Sequence, residues 1–106
     1  MKKTDRLAKV RITDQFHSGK SMVYDLKCEG VRITISMCSS QDIAGWNLEM
    51  VAKQAPDAPK VLATGPSRGE ALGILADAWR SRGGGTVYPV LDWGAIREAL
   101  VAVRAI

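Results

Sequence analysis

Four cations, Lys9, Arg11, Lys27 and Arg32, are the residues whose type and spacing most readily do chemistry. Lys and Arg at alternate strand positions project to one face, where they can neutralise phosphate or carboxylate groups. Lys9 and Arg11 alternate with Ala8, Val10 and Ile12, while Lys27 and Arg32 flank Glu29-Gly30. If Glu29-Gly30 turns a hairpin, Lys27 and Arg32 stand directly opposite each other on the polar side. The register of the first two strands decides the rest. A five-residue loop over 17–21 pairs Phe16 with Met22 and sets Arg11 opposite Lys27, giving one row through Arg32. A three-residue loop sets Arg11 opposite Asp25 and neutralises that row. Both remain open. Like charges directly opposite destabilise a sheet, so such a row would point to a bound anion or an acidic partner.

Other candidates carry less. His17, the single histidine, falls in the polar segment His17-Ser18-Gly19-Lys20-Ser21, with no Cys or carboxylate at ligand spacing. Cys38-Ser39-Ser40 leaves a strand without a nearby base to activate a nucleophile. No carboxylate pair stands out for acid–base work, and no C-x-x-C, phosphate loop or dinucleotide fingerprint occurs. The expectation is a protein that is not an enzyme, with no cofactor and no metal. A minimal site around Cys38 or His17 is the competing enzymatic reading. The helix start at Ser67-Arg68-Gly69-Glu70 could hold an anion through its amides and Arg68. Ser67 and Glu70 fit the S-x-x-E capping box, however, and plain capping is the favoured account.

The formal charge is +4, and residues 1–32 hold eight Lys/Arg against four Asp/Glu, the remainder seven of each. All of the excess therefore lies in the first third, a mild bias toward anionic partners. Cys28 and Cys38 would stand roughly 20 Å or more apart along a hairpin, too far for a disulfide. No apolar run approaches the length of a membrane span. The basic start has no apolar core and cleavage site behind it, so a cytoplasmic location is expected.

The elements that must position these residues read clearly. Residues 1–106 suit one domain. Period-two alternation marks strands through Ala8, Val10 and Ile12; Met22, Tyr24, Leu26 and Cys28; Val31, Ile33, Ile35 and Met37; and Trp46, Leu48, Met50 and Ala52. Val61-Leu62-Ala63 could add a fifth strand at the edge. The spacing of Ala71, Ile74, Leu75, Ala78 and Trp79 then predicts a first helix, stopped by Arg82-Gly83-Gly84-Gly85. Leu72 and Ala76 widen its apolar arc to about 200°, which implies cover on two sides. Gly69 and Gly73 form a small-residue stripe at the border of that arc, a candidate interaction face. Asp92 caps a second helix carrying Ile96, Ala99, Leu100 and Val103, with Leu91 and Ile96 as a hydrophobic staple. This second helix is expected to cover the first, a partner subunit being the alternative. The fold class is α+β: an antiparallel sheet of four or five strands, then two helices packed on one face.

Gly45-Trp46-Asn47-Leu48-Glu49, followed by Ala63 through Leu72 with Ala76 and Trp79 behind, resembles the G-x-T/S-x-x-E-A pattern of HicB-type antitoxin domains. That resemblance, over about residues 45–80, implies a small strand–strand–strand–helix module that binds a toxin and often DNA. The strand-to-helix ending is also similar, more loosely, to double-stranded RNA-binding domains. Neither resemblance assigns a site residue.

The sequence thus points to a non-catalytic binding or regulatory module. Its open sheet face would meet an anionic partner, nucleic acid or an acidic protein, through Lys9, Arg11, Lys27 and Arg32. The alternative is a protein-interaction or homo-oligomeric module without nucleic-acid binding, resting on exposed strand edges and the Gly69/Gly73 stripe.

Overall fold

The computed structural model describes residues 10–28, 30–41, 44–53, 58, 60–84 and 91–106. Five strands, β1 (Val10–Ser18), β2 (Ser21–Cys28), β3 (Val31–Ser39), β4 (Trp46–Ala52) and β5 (Val61–Gly65), precede two helices, α1 (Arg68–Ser81) and α2 (Trp93–Ala102). The strands form an antiparallel meander in the order β1-β2-β3-β4-β5. This is the α+β arrangement read from the sequence, with Val61–Gly65 as the fifth strand. Alternation explains it. Leu26, Ile33, Ile35, Leu48, Met50 and Val61 all project to one face and are buried there, as are Ala71, Leu72, Leu75 and Trp79 of α1 and Ile96 and Leu100 of α2. Burying one such side chain stabilises the fold by about 1.5–3 kcal/mol, and neither of the two described helices covers the other face.

The β1–β2 hairpin has neither of the two loops expected from the sequence. Ser18 pairs with Ser21, leaving a two-residue turn in which Gly19 takes φ 62°. Glycine at the first central position is what a type II′ hairpin turn requires. That turn alone would pair Arg11 with Cys28 and turn Val10 and Ile12 to the polar face. Instead the ladder shifts between Ile12 and Asp14, so Thr13 is bulged out. Val10 then pairs with Cys28, Arg11 with Lys27 and Ile12 with Leu26. Two demands meet in one strand, the turn at one end and apolar burial at the other. The extra residue reconciles them.

Both helix starts carry their caps. Ser67 Oγ accepts from the Glu70 amide at 3.1 Å, and Asp92 Oδ1 accepts from the Ala95 amide at 3.0 Å. The end of α1 follows Arg82 into Gly83, whose φ of 85° is the left-handed stop that glycine supplies without strain. Helix α1 lies over β4 and β5, and α2 packs against β1. The apolar arc of α1 is narrower than its periodicity suggests: Ile74 is 44% exposed. The reason is that α2 reaches α1 at its first turn, where Arg97 Nη2 donates to the Gly69 carbonyl at 2.9 Å. A Cβ on Gly69 would stand 3.3 Å from both Arg97 Nη1 and Ile106 Cγ2. At Gly73 it would meet nothing within 4 Å. The two glycines of the stripe therefore differ: the chain's own C-terminal segment covers Gly69, and nothing among the described residues comes close to Gly73.

Candidate basic row on the open sheet face

Strand parity builds the site. Leu26 and Cys28 face the core, so Lys27 between them faces the open side, and Arg32 between Val31 and Ile33 does the same. Arg11 pairs with Lys27 and Lys27 with Arg32, so the three cations occupy one row across β1, β2 and β3. The row continues. The Lys53 amide donates to the Arg32 carbonyl at 3.0 Å, which brings Lys53 beside Arg32 at the end of β4. All four residues are exposed. Lys9 lies outside the described residues.

At the next same-face position toward the β1–β2 turn, two residues along β2, Asp14 stands opposite Asp25. Asp25 accepts from Thr34 Oγ1 at 2.7 Å and from Lys53 Nζ at 3.3 Å. The Asp25 carboxylate thus holds one end of the cationic row and offsets part of its charge. Thr13 Oγ1 in the bulge donates to the Asp25 carbonyl at 3.2 Å, so the bulge is tied to the same residue. Thr13, Asp25, Arg32 and Lys53 line a hollow of about 260 Å³ on this face. Arg11, Lys27 and Arg32 make no ion pair with a described residue. Apart from the exposed Asp14, the face away from the row is neutral or already paired: Glu49 holds Lys60 at 2.7 Å, and Thr64 Oγ1 donates to Asn47 Oδ1 at 2.7 Å.

Lys53 is the member of the row that spacing along the sequence does not place there. It was visible as an outward-facing β4 residue, but only the pairing of β3 with β4 places it against Arg32. His17 is the other relocation. It belongs to β1, paired with Met22, rather than to a loop. The register past the bulge turns Gln15 and His17 to the helix side of the sheet, whereas Cys38 pairs with Asn47 on the open side. His17 and Cys38 therefore lie on opposite faces and do not form a nucleophile–base pair. The Cys38 thiol donates to its neighbour's carbonyl, Ser39 O, at 3.4 Å. Neither cysteine is in a disulfide, and Cys28 lies in the core. Among the described residues, no group of three His, Cys, Asp or Glu could hold a metal ion, and no helix is long and apolar enough to cross a membrane.

At the start of α1 the Ser67 cap occupies the helix end, and Arg68 turns away to lie 4.8 Å over the Trp46 ring. That pair joins β4 to α1 on the helix side, away from the basic row. No family model matches the chain, and no curated protein or solved structure matches it either.

Proposed function

We propose that this chain is a non-catalytic binding module whose open sheet face engages nucleic acid through phosphate charge. The observation that carries the reading is the row Arg11–Lys27–Arg32–Lys53, in which like charges stand directly opposite each other on adjacent strands. Each such apposition costs stability, on the order of a few tenths of a kcal/mol. A polyanion laid across the row converts that cost into attraction. Strands about 4.8 Å apart spread four cations over roughly 14 Å, a length that spans about four phosphates of one strand at 3.4 Å each. Among the described residues no base-reading groove element accompanies the row, so phosphate charge dominates and sequence preference is weak. Titration of labelled single- and double-stranded oligonucleotides at two salt concentrations tests this. Salt-sensitive binding lost in Lys27→Gln and Arg32→Gln supports it; absence of binding at micromolar protein contradicts it.

A second reading, contact with another protein or a second copy of the chain, is favoured by one observation. Leu62 is 67% exposed on β5, the strand at the sheet's edge. Edge strands with exposed apolar side chains are templates for pairing. Light scattering that shows a concentration-dependent dimer, abolished by Leu62→Lys, would favour this reading over the first.

A further inference from the structure

On the helix side of the sheet, the β1–β2 turn and one end of each helix surround a cavity of about 370 Å³. Three cations from three separate elements reach it: Lys20 from the turn, Arg68 from the first turn of α1, and Arg104 from just beyond α2. No carboxylate is among its described lining residues, and none of the three cations pairs with a described acidic residue. The remaining wall mixes aromatic and thioether side chains, Tyr24, Trp46, Met22 and Met37, with the polar Gln15 and His17.

Two local arrangements set this cavity apart from an ordinary surface hollow. Arg68 is held over the Trp46 ring, which fixes the guanidinium while leaving its N–H edge to make paired bonds to a phosphate or carboxylate. Arg104 has φ 60°, the left-handed region where a helix terminator is ordinarily glycine. Its amide donates to the Val101 carbonyl at 2.9 Å, and the Ala105 amide closes the helix onto Leu100 at 2.8 Å. A side chain is disfavoured at such a position, yet this one is an arginine that lines the cavity.

We propose that the cavity binds a nucleoside monophosphate. Three converging cations suit a phosphate dianion, and an aromatic and thioether wall suits a flat ring. Small-molecule sites begin at roughly 300 Å³, so the volume admits one such ligand. The ligand is either a free nucleotide or the 5′-terminal nucleotide of a strand, and the two share this chemistry. The site faces away from the basic row, so it stands or falls independently of the open-face reading.

Calorimetric titration of the full chain with AMP, UMP, adenosine and inorganic phosphate tests the proposal. The monophosphates are expected to bind with Kd below about 1 mM, with adenosine and inorganic phosphate each about tenfold weaker or more. Arg104→Gly is the informative variant, because glycine suits φ 60° and keeps the helix end while removing the cation. It is expected to weaken AMP about tenfold, as is Arg68→Gln, whereas Arg80→Gln, in the last turn of α1 and outside the cavity lining, leaves AMP binding unchanged. A 5′-phosphorylated tetranucleotide that displaces AMP where its 5′-hydroxyl counterpart does not would identify the chain end as the source. Failure of both to displace AMP identifies the free nucleotide. No heat from either monophosphate up to roughly 5 mM, equal affinity for adenosine or inorganic phosphate, or AMP binding untouched by Arg104→Gly would each overturn it.

Discussion

Arg11 stands directly opposite Lys27, although the turn joining their strands would by itself put Cys28 there. The bulged Thr13 makes the difference. Its extra residue keeps Val10 and Ile12 on the core side and, by the same step, completes the cationic row. On the turn side of the bulge, the two-residue turn itself sets Gln15 and His17 on the helix side, near the second cavity. One inserted residue thus shapes both faces of the sheet.

Deleting Thr13 provides the first test of that account. Without it, the Gly19 turn leads straight into the same pairs, Asp14 with Asp25 and Arg11 with Lys27. The deletion is expected to fold, losing about 1 kcal/mol for the Thr13 hydrogen bond to Asp25. Cross-strand nuclear Overhauser contacts between Arg11 and Lys27 should persist. Contacts between Arg11 and Cys28 would show that the bulge does not set the register.

Lys27→Gln separates stability from binding. It removes the central charge of the row, so unfolding free energy at low salt is expected to rise by roughly 0.2–1 kcal/mol. Oligonucleotide affinity should fall in the same variant. Loss of both together would mean that Lys27 supports the fold rather than a ligand.

Asp25→Asn works in the other direction. The carboxylate that offsets the row is removed, and Lys53 is released from its 3.3 Å pair. Thermal unfolding should show a loss on the order of 1–2 kcal/mol, typical of hydrogen bonds to a charged group. Oligonucleotide binding is expected to tighten about threefold to tenfold, the effect of one less opposing charge at a polyanion site. Weaker binding would place Asp25 in the contact itself.

Two glycines give opposite signs. A Cβ on Gly84 would lie 2.2 Å from ring carbons of the buried Trp79, and the packed ring has no room to yield. Gly84→Ala is expected to cost about 1–3 kcal/mol. At Gly73 a Cβ meets nothing within 4 Å, so Gly73→Ala should stabilise α1 by about 0.5–1 kcal/mol. Denaturant unfolding measures both. A destabilising Gly73→Ala would reveal a close partner on that face.

The fold was legible because its signals are local. Strict alternation in Val31–Met37, the Ser67 and Asp92 caps and the glycine stop after Ser81 each dictate an element without tertiary help. The β1–β2 register was not legible, because the turn and the apolar pattern of Val10 and Ile12 demand different pairings. Only a bulge satisfies both, and nothing in Thr13 itself announces one. Lys53 escaped for a related reason: its neighbour Arg32 comes from a pairing that runs one residue past the end of β4. The cavity at Arg68 and Arg104 was invisible in sequence, since three elements far apart in the chain meet there. The second helix, expected to cover the first, meets it only at its first turn among the described residues and leaves Ile74 exposed, because α2 packs mainly against β1.

The central claim is that the exposed cations of the open face neutralise phosphates, and the salt dependence of oligonucleotide binding reads it most directly. With three to four phosphate contacts, log Kobs against log salt should fall with a slope of about −2 to −4, depending on strandedness. Removing Arg32 by Arg32→Gln should make that slope shallower by about one contact. A slope near zero, or a slope unchanged in Arg32→Gln, would contradict the account.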